Sequence, residues 1–205
     1  MIPIYNKQDY IEQPANYINI IPDKLLASIS SVFSSDECNI LINYSERLGY
    51  KPASLYTDTH TGYEHFNNNV RDNLRSMTDD SEFVSVLEER IWYAIPKIYK
   101  GRRYHSINER LRFLKYDGSG HFQRHTDGAY SDTNRISLIT ILIYLNEEYN
   151  GGFTTFFPNS YTSNGFVLKP ETGMVCLMDQ GISHEVPELI SGIKYVIRTE
   201  LMYYF

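Results

Sequence analysis

The chain has 205 residues, a formal net charge of −6 and an apolar fraction of 42%. This length suits one domain with a sizeable core, and the apolar fraction is near the globular norm. The acidic balance argues against a nucleic-acid partner, because such proteins carry clustered basic residues. The first residues show no basic region followed by an apolar run, and no stretch is long and apolar enough for a membrane span. We therefore expect a cytoplasmic protein with no membrane partner.

Two helices are predicted in the first half of the chain. Residues 34–37 read Ser-Ser-Asp-Glu, and hydroxyl and acidic residues of this kind favour a helix start. Apolar side chains follow at mostly helical spacing up to Gly49, where this helix is predicted to end. The second helix is predicted from about residue 81 to residue 95, with an apolar stripe that fits packing against a sheet. Pro96 ends or kinks it.

Between these helices, residues 51–73 are polar and aromatic and show no periodicity. A long irregular stretch in a compact domain often serves as a lid or binding loop. A simple surface loop is the alternative, and the sequence does not decide between them.

The second half of the chain has the pattern of β-structure. Short runs of β-branched and aromatic residues are divided by clusters of Gly, Pro, Asn and Ser. Several short strands with such turns indicate a β-sandwich or barrel. We predict strands at residues 111–116, 136–145, 153–157, 166–169, 174–178 and 195–204.

One set of potential metal ligands lies within this β half. His125 and Asp127 are two residues apart, and His184 follows much later in the chain. Side chains at i and i+2 of an extended strand point the same way, so His125 and Asp127 can reach one metal ion. Two His and one carboxylate are the ligand set that holds Fe(II) with an open face for a cosubstrate and O2. The spacing alone is weak support, because the pattern also arises by chance.

Several separated motifs surround these ligands in a fixed order. They are RFLKY at 112–116, DGSG at 117–120, a long apolar run at 136–146, GGFTTFF at 151–157, GMVCLMD at 173–179 and GIKYVIRTELMYY at 192–204. This order resembles the Fe(II)/2-oxoglutarate dioxygenases of the prolyl 4-hydroxylase type. The resemblance is specific from about residue 108 to residue 205 and looser back to about residue 33.

The resemblance implies an α+β, mainly β fold. Its core would be a double-stranded β-helix (jelly-roll, cupin-like), with the N-terminal helices packed on the major sheet. A single Fe(II)/2-oxoglutarate dioxygenase domain would span residues 1–205, with helical support and a substrate lid up to about residue 107 and the β-helix core from about residue 108. His125 and Asp127 would lie near one strand, and His184 on a neighbouring strand at the barrel mouth.

The resemblance also implies a site for 2-oxoglutarate. Lys194 matches the family position of a cation that binds the far carboxylate of this cosubstrate. Arg198, four residues further on, faces the same side of an extended strand and either assists Lys194 or touches substrate. Tyr144 matches a tyrosine that bonds the same carboxylate, and Tyr116 matches an aromatic residue that lines the pocket. Without the resemblance, Lys194 is an exposed strand-end charge and both tyrosines are core residues.

Substrate-binding residues are indicated less sharply. Asn68 and Arg71 are similar to an Asn/Arg element in a subgroup of these oxygenases, which would place them at the cleft, and Tyr130 is expected at the substrate entrance. The resemblance implies Fe(II), 2-oxoglutarate and O2, supported by ascorbate, and hydroxylation of an unactivated C–H with release of succinate and CO2. A proline in a peptide or protein substrate is favoured on family analogy alone.

Three alternatives remain at this stage. The same site could hydroxylate another side chain or a small molecule. A non-catalytic 2-oxoglutarate/iron-binding module on the same barrel is a further alternative, although a module with no need for iron would have no reason to keep all three ligands and the cation. A nucleic-acid demethylase on the same barrel is disfavoured by the acidic balance and by Lys194 and Arg198 standing where two arginines are typical. The sequence does not indicate the oligomeric state.

Overall fold

The computed structural model describes residue 2 and residues 10–57, 61–159 and 161–205. Its helices are α1, Ser35–Leu48, and α2, Ser81–Ile91, which continues into a 3-10 turn at Trp92–Ala94. The strands of the first half are β1 Asn16–Tyr17, β2 Leu26–Ile29, β3 Lys51–Pro52, β4 Tyr56–Thr57, β5 Glu64–His65, β6 Arg71–Asp72, β7 Leu74–Asp79, β8 Ile98–Tyr99 and β9 Arg102–Ile107. Those of the second half are β10 Arg110–Tyr116, β11 His121–His125, β12 Arg135–Tyr144, β13 Asn150–Gly151, β14 Thr155–Phe157, β15 Phe166–Val167, β16 Val175–Asp179, β17 Ser183–Val186, β18 Leu189–Ser191 and β19 Lys194–Tyr204.

Helix α1 begins and ends where the sequence predicts. Ser34 caps it, because its Oγ accepts a hydrogen bond from the Glu37 N–H at 3.2 Å while its own N–H donates to the Glu37 carboxylate at 2.8 Å. Gly49 follows the last turn with a φ of 79°, a conformation that favours glycine. Glu37 also pairs with Arg90 of α2 at 2.6 Å, which ties the two helices together. Neither helix of the described ranges is long and apolar enough to cross a membrane.

Replacing Ser34 with alanine is expected to lower the free energy of unfolding by about 1 kcal/mol, because one helix N–H loses its acceptor and the reciprocal cap is broken. Urea denaturation followed by circular dichroism measures this loss. Ser35→Ala is the matched control, since Ser35 is exposed and is the first residue of the helix itself. An equal loss in both variants would contradict the capping role of Ser34.

Two large antiparallel sheets, with two small two-stranded ones (β4-β5 and β13-β18), build the β part of the described residues. The larger has the strand order β1-β2-β16-β12-β19-β10-β7-β3, with β9 pairing beside β19 and β8 beside β9. The smaller has the order β15-β14-β17-β11-β6. This is the mainly β, jelly-roll arrangement that the sequence predicts. The first half supplies more than helices and a lid, because β2, β7 and β9 pair with β16, β10 and β19 of the second half.

Alternation along the central strand β12 separates two apolar cores. Ile139, Ile141 and Ile143 point to a core shared with the buried faces of α1 and α2. Leu142 and Tyr144 point the other way, to a second core between the two sheets. The helices therefore pack on the outer face of the larger sheet, as predicted, and the inner face is left to form a site.

The stretch 51–73 contains short strands instead of being wholly irregular. β4 pairs with β5 as a hairpin, and β6 pairs with β11 at the edge of the smaller sheet. This pairing makes Arg71 the direct neighbour of Phe122. Residues 58–60 of the predicted lid lie outside the described residues, and the lid role itself stays a prediction.

Candidate metal and cosubstrate site

The structure brings together the three residues that the sequence singles out as potential metal ligands. β11 ends at His125, which is the register partner of His184 on β17. Asp127 lies just past the end of β11, where its N–H donates to the Gln180 carbonyl at 3.0 Å. One potential ligand atom from each of the three side chains lies within 4.8 Å of the other two. The arrangement follows from the i, i+2 spacing on one strand and from direct pairing with the neighbouring strand.

Both imidazoles keep one nitrogen free. Nδ1 of His125 is 2.7 Å from the Gln123 carbonyl oxygen, and Nδ1 of His184 is 3.1 Å from that of Ile182. A carbonyl oxygen only accepts, so we assign each proton to Nδ1, which leaves the lone pair of Nε2 for a metal ion. Burial, reinforced by the nearby His184, lowers the pKa of His125 to about 4 and keeps the ring neutral at neutral pH.

Asp127 is held in its charged form. Burial opposes its ionisation, but the Arg198 guanidinium, His184 and a hydrogen bond from Thr140 outweigh burial and hold the pKa of this carboxyl well below its usual range. The Thr140 hydroxyl donates to Oδ2 at 2.6 Å, and Arg198 lies 3.4 Å from Oδ1. The carboxylate is therefore both charged and fixed in orientation before any ligand arrives.

Replacing Thr140 with valine is expected to weaken Fe(II) binding by about tenfold, because a ligand carboxylate that loses its supporting hydrogen bond is less well oriented. An anaerobic competition titration against a coloured chelator measures the dissociation constant. Thr199→Val is the matched control: this buried hydroxyl on β19 bonds the Asn108 carbonyl and does not touch Asp127. Equal weakening in the two variants would show that loss of any buried hydroxyl, not support of Asp127, explains the effect.

A cavity of about 450 Å³ between the sheets contains the three potential ligands. Its remaining wall is a mixture of apolar and cationic side chains. Leucine and valine side chains from both sheets line it together with Thr154, Tyr116, Lys194 and Arg198. The period of two along β19 explains why Lys194 and Arg198 enter the same cavity, as predicted for an extended strand.

Lys194 is a buried amine within this cavity. Its side chain is 1% exposed, and Nζ donates to the Gly152 carbonyl at 2.6 Å and lies 3.4 Å from Thr154 Oγ1. The rings of Tyr116 and Tyr144 lie 5.2 and 5.7 Å from Nζ. Among the described residues no carboxylate pairs with it, and burial lowers its pKa to about 7. A buried cation without a counter-ion is costly, so the position fits an anionic ligand.

Of the other residues predicted from the sequence, some line the cavity and some lie outside it. Tyr116 and Arg71 line the cavity. Tyr144 stands behind Lys194, and its hydroxyl donates to Thr154 Oγ1 at 2.9 Å instead of facing the open space. Asn68 and Tyr130 are exposed and are not part of the cavity lining. Their role in substrate binding therefore has no support from the shape of this cavity.

Arg198 has a role that the sequence does not suggest. It joins Asp127 to a second acid, Glu200, whose Oε1 is 2.9 Å from the Arg198 guanidinium and 2.9 Å from Arg112. Arg112 also lines the cavity. A period of two predicts that residues 112, 114 and 116 of β10 share one face, as do residues 194, 196, 198 and 200 of β19, but it does not predict that the two strands are neighbours.

These groups fit Fe(II) and a dicarboxylate cosubstrate. Two imidazole nitrogens and one charged carboxylate converge within one cavity, which is the donor set for non-haem Fe(II). Lys194 places an unmatched cation in the same cavity, where a second carboxylate group could be held. Arg198 Nε is buried without a hydrogen-bond partner among the described residues, so the cavity also has an unused donor.

Comparison with known proteins identifies the core. Residues 111–200 match the model of the 2OG-Fe(II) oxygenase superfamily, and this range contains all three potential ligands and Lys194. Residues 111–200 of this chain therefore belong to the 2OG-Fe(II) oxygenase superfamily. Fe(II), 2-oxoglutarate and O2 are thus its cofactor and cosubstrates, as the resemblance of the motifs implies. A sequence search against curated proteins finds no match.

Solved structures of this oxygenase class share the fold. A prolyl-4-hydroxylase from Pseudomonas putida aligns with a TM-score of 0.64 at 14% identity, over 86% of this chain and 91% of its own. A Trichoplax adhaerens prolyl hydroxylase, solved with a peptide of hypoxia inducible factor, gives 0.65 at 17% identity, over 88% and 83%. A viral collagen prolyl hydroxylase from Paramecium Bursaria Chlorella virus-1, solved with 2OG, gives 0.60 at 20% identity, over 88% and 96%. The double-stranded β-helix predicted for the core is confirmed.

Proposed function

We propose that this oxygenase hydroxylates a proline in a peptide or protein. The observation that carries the proposal is the convergence of His125, Asp127 and His184 with the unpaired Lys194 in one cavity between the sheets. The prolyl substrate is supported by the fold shared with prolyl hydroxylases, one of which was solved with a peptide.

In this proposal His125, Asp127 and His184 hold Fe(II). When bound, Fe(II) with 2-oxoglutarate activates O2 for attack on an unactivated C–H bond. The two imidazoles donate through Nε2, and their Nδ1–H bonds to backbone carbonyls fix the ring planes. Phe122 stacks on the His125 ring with centroids 3.6 Å apart, which restricts that ring further.

Lys194 binds and orients the far carboxylate of 2-oxoglutarate. Its ammonium gains a counter-ion on binding, so the cosubstrate removes the burial penalty that the free protein carries. Thr154, which lines the cavity and lies between Lys194 and the Tyr144 hydroxyl, holds the amine in place. The apolar wall, with Leu114 and Val196 among its members, keeps bulk water from the reacting groups.

The overall reaction balances with the cosubstrates of the class. Substrate C–H, 2-oxoglutarate and O2 give substrate C–OH, succinate and CO2. One oxygen atom enters succinate and the other enters the new hydroxyl group. The cosubstrate and the substrate each lose two electrons, and O2 accepts all four.

Succinate release with Fe(II), 2-oxoglutarate and ascorbate, across a panel of proline-containing peptides, tests the proposal. We expect at least one peptide to stimulate release above a no-peptide control, with a matching hydroxyproline found by mass spectrometry. Basal release that no peptide stimulates would contradict the prolyl assignment and point to another side chain or a small molecule. Absence of any release from iron-loaded protein would favour the non-catalytic binding module.

A further inference from the structure

The cavity carries more positive charge than Fe(II) and 2-oxoglutarate require. Its lining includes five cations and one carboxylate, Asp127. Two more carboxylates, Glu64 and Glu200, contact these cations from beside the cavity. The two positive charges of Fe(II) and the two negative charges of 2-oxoglutarate cancel, so a net positive charge of two remains. The five cations are Arg71, Arg75, Arg112, Lys194 and Arg198.

Four of these five cations have an anionic partner, which for Lys194 is the proposed cosubstrate. Arg198 lies between Asp127 and Glu200, and Arg112 bonds the same Glu200. Lys194 is the proposed partner of the cosubstrate. Arg75 lies 3.7 Å from Glu64. Arg71 is left over.

The hydrogen-bond partners of Arg71 among the residues that the structure describes are all neutral, and the nearby carboxylate of Asp127 attracts Arg71 without bonding it. Its Nε donates to Asn73 Oδ1 at 2.6 Å, and its Nη1 donates to the Ser54 carbonyl at 3.3 Å. No hydrogen bond from Nη2 to a described residue occurs, and no described carboxylate lies within 4.0 Å. Burial lowers the pKa of Arg71 to about 10, so the group stays protonated at neutral pH.

The position of Arg71 relates it to the metal site. Its guanidinium carbon lies 4.6 Å from the centre of the Phe122 ring, and Phe122 stacks on His125 at 3.6 Å. The distance from this guanidinium carbon to the centre of the His125 ring therefore cannot exceed the sum of these two distances. Asn73 and Phe122 hold it in a set orientation, so little conformational freedom is lost when an anion binds.

We propose that Arg71 binds a carboxylate of the substrate, so that the preferred peptide carries a carboxylate beside the residue that is hydroxylated. This rests on the proposed function for the identity of that residue. Two sources of the carboxylate fit a short distance from the reacting carbon: an acidic side chain flanking the proline, or the C-terminal carboxylate of a terminal proline. Arginine suits either, because its fork binds a carboxylate through two parallel hydrogen bonds.

Two pairs of short peptides separate these sources. In one pair, Glu or Gln directly follows an internal proline in an otherwise identical, end-capped peptide. In the other pair, the chain ends in proline as the free acid or as the amide. Isothermal titration calorimetry with Mn(II) in place of Fe(II), at saturating 2-oxoglutarate, measures binding without turnover. We expect the acid form of at least one pair to bind about tenfold tighter than its neutral partner, and this preference to weaken with salt.

Variants identify the group responsible. Arg71→Gln is expected to remove the preference for the acid form while the dissociation constant for 2-oxoglutarate stays within about twofold, since Lys194 holds that ligand. Arg110→Gln is the matched control: this arginine is the first residue of β10, pairs with Asp79 and does not line the cavity. It is expected to keep the preference.

The proposal is overturned if both members of each pair bind equally, if neither binds, or if Arg71→Gln retains the preference. It is also overturned if Arg71→Gln loses 2-oxoglutarate binding instead, because Arg71 would then serve the cosubstrate. An acid preference that depends on Arg71 without any hydroxyproline formation would support the anion site and contradict the prolyl assignment. Hydroxyproline formed without an acid preference would support the prolyl assignment and contradict the anion site.

Discussion

Replacing Asp127 with alanine is expected to lower 2-oxoglutarate turnover by more than about a hundredfold. Even a lost supporting contact costs about 10- to 100-fold in metal affinity or activity, and Asp127 is the only carboxylate of the proposed ligand set. The change also leaves Arg198 without one of its two acids and the Thr140 hydroxyl without its acceptor. Succinate release and anaerobic Fe(II) titration of the same preparations measure the two effects.

Asp117→Ala is the matched control for this variant. Asp117 is an exposed carboxylate in the turn between β10 and β11 and does not line the cavity. Its removal is expected to leave Fe(II) affinity and turnover within about twofold. Retained turnover in Asp127→Ala that is folded by circular dichroism would refute the assignment of this residue as a ligand.

Replacing Lys194 with methionine is expected to raise KM for 2-oxoglutarate by about a hundredfold, because a buried charge-assisted contact to the far carboxylate is lost. The same change is expected to stabilise the ligand-free protein, since a buried amine without a counter-ion is replaced by an apolar side chain of similar length. Steady-state kinetics and urea denaturation of ligand-free protein measure the two effects. Lys169→Met, on the exposed surface, is the control and is expected to change neither.

The stability difference should depend on pH in a defined direction. The pKa of Lys194 is about 7 in the folded protein, below the ordinary value of 10.5, because burial disfavours the charged amine. Below about pH 7 the amine is protonated in both the folded and the unfolded chain, so folding carries the full cost of burying the charged amine. Above that pH only the unfolded chain keeps this proton, and wild-type stability rises with pH until about 10.5. The advantage of Lys194→Met should therefore be larger at about pH 6 than at about pH 9; a constant advantage would contradict the burial argument.

Much of the fold could be predicted because its signals are local. The cap at Ser34 and the stop at Gly49 fix α1 by side-chain and backbone chemistry within the helix itself. β12 and β19 are long runs of mostly β-branched, aliphatic and aromatic residues because both lie at the centre of the larger sheet. β7 and β9 were not predicted, since their half-exposed sequences LRSMTD and RRYHSI lack clear alternation.

The sequence predicted those site residues that belong to recognisable motifs. It did not predict contacts that arise only from the way the strands pair. His125, Asp127, His184 and Lys194 were found together because spacing and the order of motifs mark them. The link from Arg112 through Glu200 to Arg198 depends on which strands flank β19, and no local signal gives that register.

Turn geometry explains two further differences between expectation and structure. Tyr130 lies outside the cavity lining because the chain after Asp127 turns outward, where the Tyr130 N–H donates to Ser137 Oγ at 2.8 Å. The Tyr144 hydroxyl meets Thr154 because the segment before β14 folds back toward Lys194. Neither contact is encoded within one strand, so periodicity alone could not reveal it.

The central claim is that His125, Asp127 and His184 hold Fe(II) where 2-oxoglutarate, anchored by Lys194, can chelate it. The most direct test is the visible charge-transfer absorption of Fe(II) chelated by a 2-oxo acid, recorded without O2 as iron is titrated into protein with 2-oxoglutarate. We expect the band to saturate at one iron per chain, to vanish in Asp127→Ala and to need far more 2-oxoglutarate in Lys194→Met. A band that persists unchanged in Asp127→Ala, or none in protein that binds both ligands, would contradict the account.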